Sequence, residues 1–292
     1  MSRHSVPRSK VDEKLASLAT DDGRYAILAI DHGRSLLNML GHDNQADDAI
    51  LRESKSAVLK LLGKHCTAVL IDFRMAETIG DVWHPPVGVP LIVGVDELDY
   101  DDLTFPPPNL PTHELLQQLR DVGASAFKIV LYYDPESSDA AARCAIVAEV
   151  VDRCHHVGLP LLVEPLPIPI TGPVERPPWP VDEVARQVSG TGADILKLPI
   201  ALSAQTAKIA GEITKAAAGT PWILLSSGVP YSEFLETLRV ALGGGAAGFA
   251  AGRSIWNDLI VDVTNEAARS EASDRLEKAA ILTQSTRRGN FT

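Results

Sequence analysis

The stretch "ADILKLPI", residues Ala193–Ile200, reads as a short β-strand with a lysine in the middle of its apolar run. Lysine is among the side chains least often fully buried, because stripping an unpaired ammonium of its water is costly. Lys197 therefore either reaches solvent at a strand end or is placed for chemistry. Its surroundings decide which.

Outward from this stretch the same unit recurs. Short apolar or β-branched runs appear at "YAILAID" (Tyr25–Asp31), "AVLID" (Ala68–Asp72), "LIVGVD" (Leu91–Asp96), "AFKIVL" (Ala126–Leu131) and "LLVE" (Leu161–Glu164). They continue with "DILKL" (Asp194–Leu198), "WILLSS" (Trp222–Ser227) and "GFAAGR" (Gly248–Arg253). Longer segments of helical periodicity separate them, among them "THELLQQLRDVGA", "SDAAARCAIVAEVVDRCHHVG" and "YSEFLETLRVALGGGA". Several end at glycine, where a left-handed cap is easiest.

Eight strands alternating with helices predict an α/β chain folded as a single (β/α)8 TIM barrel; near-regular units favour closure over an open, doubly wound sheet. One domain is expected over 1–292, with the barrel at about 20–265 and a C-terminal helix and mobile tail at 266–292. Gly243–Gly245 lacks the spacing of a dinucleotide fingerprint and reads as a helix-to-strand turn.

The formal charge of −11 removes the basic footprint of a nucleic-acid binder and disfavours anionic membranes. No segment is apolar enough for a membrane span, and "MSRHSVPRSKVDEK" lacks the apolar core of an export signal, so a soluble, cytoplasmic protein is expected. Cys66, Cys144 and Cys154 are too scattered for a disulfide framework or zinc cage and read as structural thiols. Two proline-rich passages, "FPPPNLP" and "PLPIPITGPVERPPWP", fall where βα loops would shape a mouth, or serve as plain spacers.

In such a barrel the chemistry sits at the C-terminal ends of the strands. The residues closing the runs are Asp31, Asp72, Asp96, Lys128, Glu164, Lys197, Ser226 with Ser227, and Arg253. A full ring of polar residues converging on one mouth is more than a set of loop starts. Lys128 and Lys197 belong to alternate strands, which share layers inside a barrel. If both point inward, like charge and partial burial push at least one pKa down, and a neutral lysine is a nucleophile toward a ketone or aldehyde. Glu164, between them, either carries protons or serves as a plain counterion.

Loops after the seventh and eighth strands form the recurrent phosphate site of these barrels, and here they read "SSGV" and "AGR". Small residues let backbone N–H groups approach an anion, and Arg253 adds a fork of donors; ordinary turns with a surface arginine are the plain alternative. Asp31 opens "DHGRS" and can accept substrate hydroxyls or balance the lysines. His32 fits a general acid or a metal ligand, but no second histidine closes a strand. His65, His113, His155 and His156 fall on helices or their ends, and His84 has no assigned role. No metal is therefore expected.

Taken together, "ADILKLPI", "AFKIVLYYD", "GLPLLVEP", "PWILLSSGV" and "GFAAGRSIW" resemble the class I aldolases that include tagatose 1,6-bisphosphate aldolase and sulfofructosephosphate aldolase. The likeness runs from about Tyr25 to Trp256, with five motifs in order at the right strands. It implies a metal-independent lyase without cofactor, in which Lys197 forms a Schiff base with a ketose carbonyl while Lys128 and Glu164 assist proton transfer. Ser226, Ser227, Gly228, Gly252 and Arg253 would hold an anionic end of the substrate, with Asp31 and Arg34 beside them.

"PWILLSSGV" and "AGRSIW" are closer to the sulfosugar branch. The resemblance thus implies cleavage of 6-deoxy-6-sulfofructose 1-phosphate to dihydroxyacetone phosphate and sulfolactaldehyde, with tagatose or fructose 1,6-bisphosphate as the second choice. Three departures concern the far end of the substrate. Asp31-His32-Gly33-Arg34 stands where Asp-Gln-Arg is usual, Leu198-Pro199 where relatives have valine and glutamate, and "VDELDYD" where the tagatose enzymes have a lysine. A pyridoxal-phosphate barrel and a non-catalytic sugar-phosphate binder are the readings from other classes. The partner expected is a small sugar phosphate, and a homo-oligomer is expected because barrels of this kind often associate.

Overall fold

The computed structural model describes residues 8–41, 48–76, 88–96, 107–168 and 179–286, apart from the side chains of Arg34, Ser35, Asn38 and Asp48. Eight parallel strands close on themselves in chain order: β1 (Tyr25–Ala29), β2 (Ala68–Asp72), β3 (Leu91–Gly94), β4 (Ala124–Tyr133), β5 (Leu161–Pro167), β6 (Ile195–Pro199), β7 (Trp222–Leu225) and β8 (Gly248–Ala251). All eight expected strands are present, and the chain is a (β/α)8 barrel.

The helices between and around them are α1 (Arg8–Ser17), α2 (Arg34–Met39), α3 (Asp48–Leu62), α4 (His113–Asp121), α5 (Ala140–His156), α6 (Val181–Ser189), α7 (Thr206–Ala216), α8 (Tyr231–Gly243), α9 (Arg253–Val261) and α10 (Glu266–Ser285). The expected C-terminal helix is α10, and residues 287–292 of the expected mobile tail lie outside the described residues. Residues 105–106 of the first proline-rich passage, 169–178 of the second, and His84 lie outside them too.

The strands are continuous apolar runs because both faces are covered. Alternate residues face inward, and Ile27, Ala29, Leu70, Ile92, Ala126, Leu162, Ile195, Ile223 and Ala250 pack together as the filling of the barrel. The other face packs on the helices through such residues as Leu28, Val69, Phe127, Val163, Leu196 and Phe249. Each fully buried Leu or Ile contributes roughly 1.5–3 kcal/mol over leaving it in water.

One end of the filling is stoppered by Leu18, with Leu15 and Ala19 packed against it, on the segment that leaves α1. Arg8 of α1 donates to Asp194 Oδ1 at 3.0 Å, and Asp194 Oδ2 also accepts from Leu161 N and meets His155 Nε2, each at 2.8 Å. That buried carboxylate ties α1, the end of α5 and the starts of β5 and β6 together. It gives His155, at the end of α5, a structural partner.

Closure occurs where β1 pairs with β8, in the register Tyr25↔Gly248, Ala26↔Phe249, Ile27↔Ala250 and Leu28↔Ala251. Gly248 has φ +154°, and a Cβ there would lie 1.8 Å from the Tyr25 carbonyl oxygen, so only glycine lets the two strands approach. Arg24, buried just before β1, donates to the carbonyls of Ala246 and Thr286 and so fixes the end of α10 near this seam.

Two expected boundaries change. Lys128 and Glu164 were read as closing their strands, but β4 runs on to Tyr133 and β5 to Pro167, paired through Tyr133↔Pro167. Conversely β1, β3, β7 and β8 stop short, so Asp31, Asp96, Ser226 and Arg253 stand just past strand ends, Arg253 as the first residue of α9.

Candidate active site

Three side chains rise from the inward faces of adjacent strands, each two residues beyond a filling residue: Lys128 after Ala126, Glu164 after Leu162, and Lys197 after Ile195. Alternation aims them along the barrel axis with apolar packing beneath. Lys128 and Lys197 are each 3% exposed, and Glu164 is buried with them. Glu164 Oε2 accepts from Lys197 Nζ at 3.0 Å and lies 3.2 Å from Lys128 Nζ. Lys128 Nζ is also 3.0 Å from Asp31 Oδ2. The two ammonium groups therefore meet across a shared carboxylate oxygen, in a chain Asp31–Lys128–Glu164–Lys197.

Burial by itself would raise the carboxyls of this chain, because it penalises the charged form. For Glu164 the ammonium groups of Lys197 and then Lys128 overcome that and hold it below its ordinary value. For Asp31 burial is likewise overcome, by Lys128, then Lys197 and His32, and the carboxyl lies well below the usual range. Both are ionised at neutral pH. Asp96 behaves oppositely: burial pushes it up, Lys128 only partly offsets this, and its Oδ2 accepts from Val130 N at 3.2 Å. Asp72 is engaged elsewhere, paired with the buried Lys55 of α3 and accepting from Met75 N at 3.1 Å.

Across the mouth, β7 and β8 end in turns sewn to each other. Gly252 N donates to Ser226 Oγ at 3.4 Å, and Ser254 Oγ donates to the carbonyls of Val229 (2.7 Å) and Ser226 (3.3 Å). Ser226 thus joins the two turns, while exposed Ser227 and Gly228 follow in left-handed backbone, φ +52° and +71°. A non-glycine residue in that region is strained. A Cβ on Gly228 would sit 3.2 Å from Arg253 Nε, so glycine leaves the guanidinium its place.

Arg253 begins α9, whose N-cap Gly252 supplies no side-chain hydrogen bond, so the first N–H groups of this helix keep their affinity for an anion. Ser226, Ser227, Gly228, Gly252 and Arg253 thus lie on two turns joined to each other at the ends of β7 and β8. The side chain of Arg34, at the start of α2, lies outside what the structure describes. Among the described residues no group of three or more His, Cys, Asp or Glu is placed to hold a metal ion. No helix among them is long and apolar enough to cross a membrane.

One wall of the mouth was not anticipated from sequence. Tyr132 lies four residues beyond Lys128 on the inward face of β4, is buried, and pairs in register with Leu166. With Val130, Leu166 and Ile168 it makes a small apolar cluster above the lysines. Its phenol is pushed up, first by burial and then by the charge of Glu164, against the pull of Lys128. The even spacing from Lys128 in "KIVLY" is the signal that places it. Pro199 follows Lys197 on the same inward alternation, so an apolar ring occupies the position next along that strand.

The sequence model of DeoC/LacD family aldolases matches residues 25–258. A tagatose 1,6-diphosphate aldolase of Staphylococcus aureus is 25% identical over 298 aligned residues, covering 89% of this chain and 91% of that protein. Among solved structures, an archaeal fructose 1,6-bisphosphate aldolase superposes with a TM-score of 0.67 at 22% identity, covering 94% of this chain and 98% of that one. A Schiff-base-forming fructose-1,6-bisphosphate aldolase superposes at 0.64 with 20% identity, covering 94% and 99%. Both share the fold of this chain.

Proposed function

The chain belongs to the DeoC/LacD family of aldolases, and from that premise we propose that it is a class I, Schiff-base aldolase that reversibly cleaves a ketose 1-phosphate. The observation that carries this reading is the contact of Lys197 Nζ with Glu164 Oε2, 3.0 Å apart and buried above an apolar filling. A lysine so placed can hand one proton to a carboxylate and become a free amine without leaving its site.

In the proposed reaction Lys197 Nζ adds to the C2 carbonyl and water leaves, giving an iminium that draws electrons. Glu164, directly or through water and beside Lys128, takes the C4 hydroxyl proton. The C3–C4 pair then flows into the iminium, releasing an aldehyde and leaving an enamine on Lys197. Protonation at C3 and hydrolysis free dihydroxyacetone phosphate and restore the amine. Ser227, Gly228, Arg253 and the first amides of α9 take the phosphate, with Ser226 and Gly252 holding the turns in place, and Asp31 accepts a substrate hydroxyl. No metal or cofactor takes part in this scheme, and activity should survive chelator. The enzyme would work as one barrel domain, in the cytoplasm and as a homo-oligomer.

The substrate favoured by the motifs "PWILLSSGV" and "AGRSIW" is 6-deoxy-6-sulfofructose 1-phosphate, cleaved to sulfolactaldehyde. Tagatose or fructose 1,6-bisphosphate is the second reading, supported by the likeness to the staphylococcal enzyme. Cleavage assays on these three ketoses decide between them. Borohydride reduction with dihydroxyacetone phosphate, followed by peptide mass spectrometry, tests the mechanism. The adduct is expected on Lys197, and an adduct elsewhere, or none on an active protein, overturns it. A pyridoxal-phosphate enzyme would be yellow, and a mere binder would show neither cleavage nor adduct.

A further inference from the structure

The register of the barrel sets three side chains one step above the charged chain. Val130 pairs with Glu164 and Tyr132 with Leu166, while Leu162 pairs with Ile195 and Val163 with Leu196, which brings Glu164 level with Lys197. The next inward positions toward the mouth are Tyr132 on β4, Leu166 on β5 and Pro199 on β6. They stand side by side on adjacent strands, and the proposed steps use none of them.

Tyr132 is buried and packs with Val130, Leu166 and Ile168. Its phenol feels the charges of Glu164, Lys128 and Asp96, so the ring lies over the charged chain. The strand end that carries it is held from outside. The ladder between β3 and β4 ends at Gly94↔Lys128, and beyond it side chains take up the free edge and the outer face of β4. Arg143 Nη1 donates to the Tyr132 carbonyl at 3.0 Å, with its Nε on Asp139 Oδ2 at 2.7 Å. Trp179 Nε1 donates to the Tyr133 carbonyl at 3.0 Å. The Tyr133 hydroxyl, on the opposite face, donates to Gln187 of α6 and meets Cys144 Sγ of α5 at 3.2 Å. A side chain whose backbone is fixed in this way has the rigidity that a binding wall needs.

We propose that Tyr132, with Leu166 and Pro199, is the platform on which the carbon chain of the leaving aldehyde lies, and that Tyr132 is a specificity residue for that half of the substrate. The inference rests on the Schiff-base reading above. With C2 on Lys197 and the C4 hydroxyl at Glu164, the carbons beyond C4 continue from Glu164. The groups next to Glu164 toward the mouth are Leu166 on its own strand and Tyr132 on the neighbouring one. In the closed order of strands β4 is opposite β8, so the platform and Arg253 belong to opposite sides of the barrel, as the two ends of one extended ketose require. An aromatic ring and two apolar side chains bind hydrocarbon and not charge. The chemical class seated here is a short aldehyde held by its C–H face, whatever group ends its chain.

Deuterium exchange separates the two halves of the reaction. In D2O, enamine formation exchanges a C–H of dihydroxyacetone phosphate, read by proton NMR, and involves no aldehyde, whereas cleavage of a ketose involves both halves. Tyr132→Ala should lower kcat/KM about 10- to 100-fold for whichever of the three ketoses named above the wild type cleaves, with exchange of dihydroxyacetone phosphate largely kept. Tyr132→Phe, which retains the ring, should restore most of the cleavage. Should Tyr132→Ala not fold, Leu166→Ala takes its place, since Leu166 is only partly buried. An equal loss of exchange and cleavage, undiminished cleavage in the alanine variant, or a phenylalanine variant as poor as the alanine one overturns the proposal. So does a wild type that exchanges deuterium and cleaves none of the three. Borohydride trapping keeps the two readings apart: if dihydroxyacetone phosphate leaves no adduct on Lys197 of the wild type, the Schiff-base reading fails; if it does and cleavage ignores Tyr132, only the platform fails.

Discussion

Lys197 Nζ donates to Oε2 of Glu164, a residue 33 positions earlier in the chain, and both groups are buried. The same oxygen lies 3.2 Å from Lys128, so one carboxylate faces both ammonium groups at the heart of the barrel, with Asp31 as the second counter-charge. Removing its charge while keeping its shape should therefore hurt twice. Glu164→Gln should slow enamine formation about 10²–10⁴-fold, the usual contribution of a positioned proton carrier. It should also lower the unfolding free energy by about 3–5 kcal/mol, because breaking a buried ion pair strands the partner charge. Deuterium exchange and urea titration measure the two effects on one preparation.

The two lysines should separate under substitution. Lys197→Met should form no borohydride-stable adduct with dihydroxyacetone phosphate. Lys128→Met should still form one, more slowly, since Lys197 keeps its contact with Glu164. Mass spectrometry over a time course distinguishes them, and adduct formation in Lys197→Met would assign the nucleophile elsewhere.

Acid should weaken the fold through the same cluster. The Asp31 and Glu164 carboxyls lie below ordinary values of 3.8 and 4.5 in the folded protein, so the unfolded chain binds more protons at low pH. Their stabilisation is present above about 4.5 and is lost as the pH falls through and below that value. Asp96, raised by burial, works the other way, losing stability as the pH rises. In urea titrations from pH 3 to 7, the double variant Asp31→Asn, Glu164→Gln should be less stable throughout and show a shallower loss toward acid than the wild type.

The proposed anion cradle can be disturbed without touching the lysines. Arg253→Ala should raise KM for the phosphorylated ketose roughly 10- to 100-fold, the scale of a hydrogen bond to a charged group. Gly228→Ala should have a related effect by a different cause. Its Cβ would press on the Arg253 guanidinium at 3.2–3.4 Å, and φ +71° strains an L-residue by roughly 1–2 kcal/mol. Both variants should retain their exchange rate with unphosphorylated dihydroxyacetone, and loss of that rate would place the anion site elsewhere.

Gly248→Ala should be the most destabilising single change, because its Cβ would overlap the Tyr25 carbonyl at 1.8 Å and must force β1 from β8. A loss above about 4 kcal/mol is expected, visible as a large drop in Tm or as insoluble protein. A near-native Tm would mean that the seam yields.

What could be read in advance was what depends on local pattern. Strands covered on both faces must be apolar throughout, which is why all eight stood out, and a charge such as Lys197 inside such a run is conspicuous for the same reason. Strand ends were harder. Nothing local separates Leu131 from Tyr132 or Glu164 from Pro165, and the extra length of β4 and β5 comes from their pairing with each other. Least legible were contacts between distant segments, such as Arg8 with Asp194 across 186 positions, or His32 lying beneath Gly252. These are consequences of closure, and no window of sequence contains both partners.

The seam between β1 and β8 also sets when the site can exist during synthesis. A chain halted on the ribosome at Ala247 already carries Lys128, Glu164, Lys197 and the turn Ser226–Gly228. It lacks Gly248 to Arg253, so Asp31 and His32, made long before, have no strand to close against and no Gly252 to shelter under. Lys197, the lysine proposed to react, is then made before the walls that would govern it. Only emergence of the last strand lets the barrel close around it.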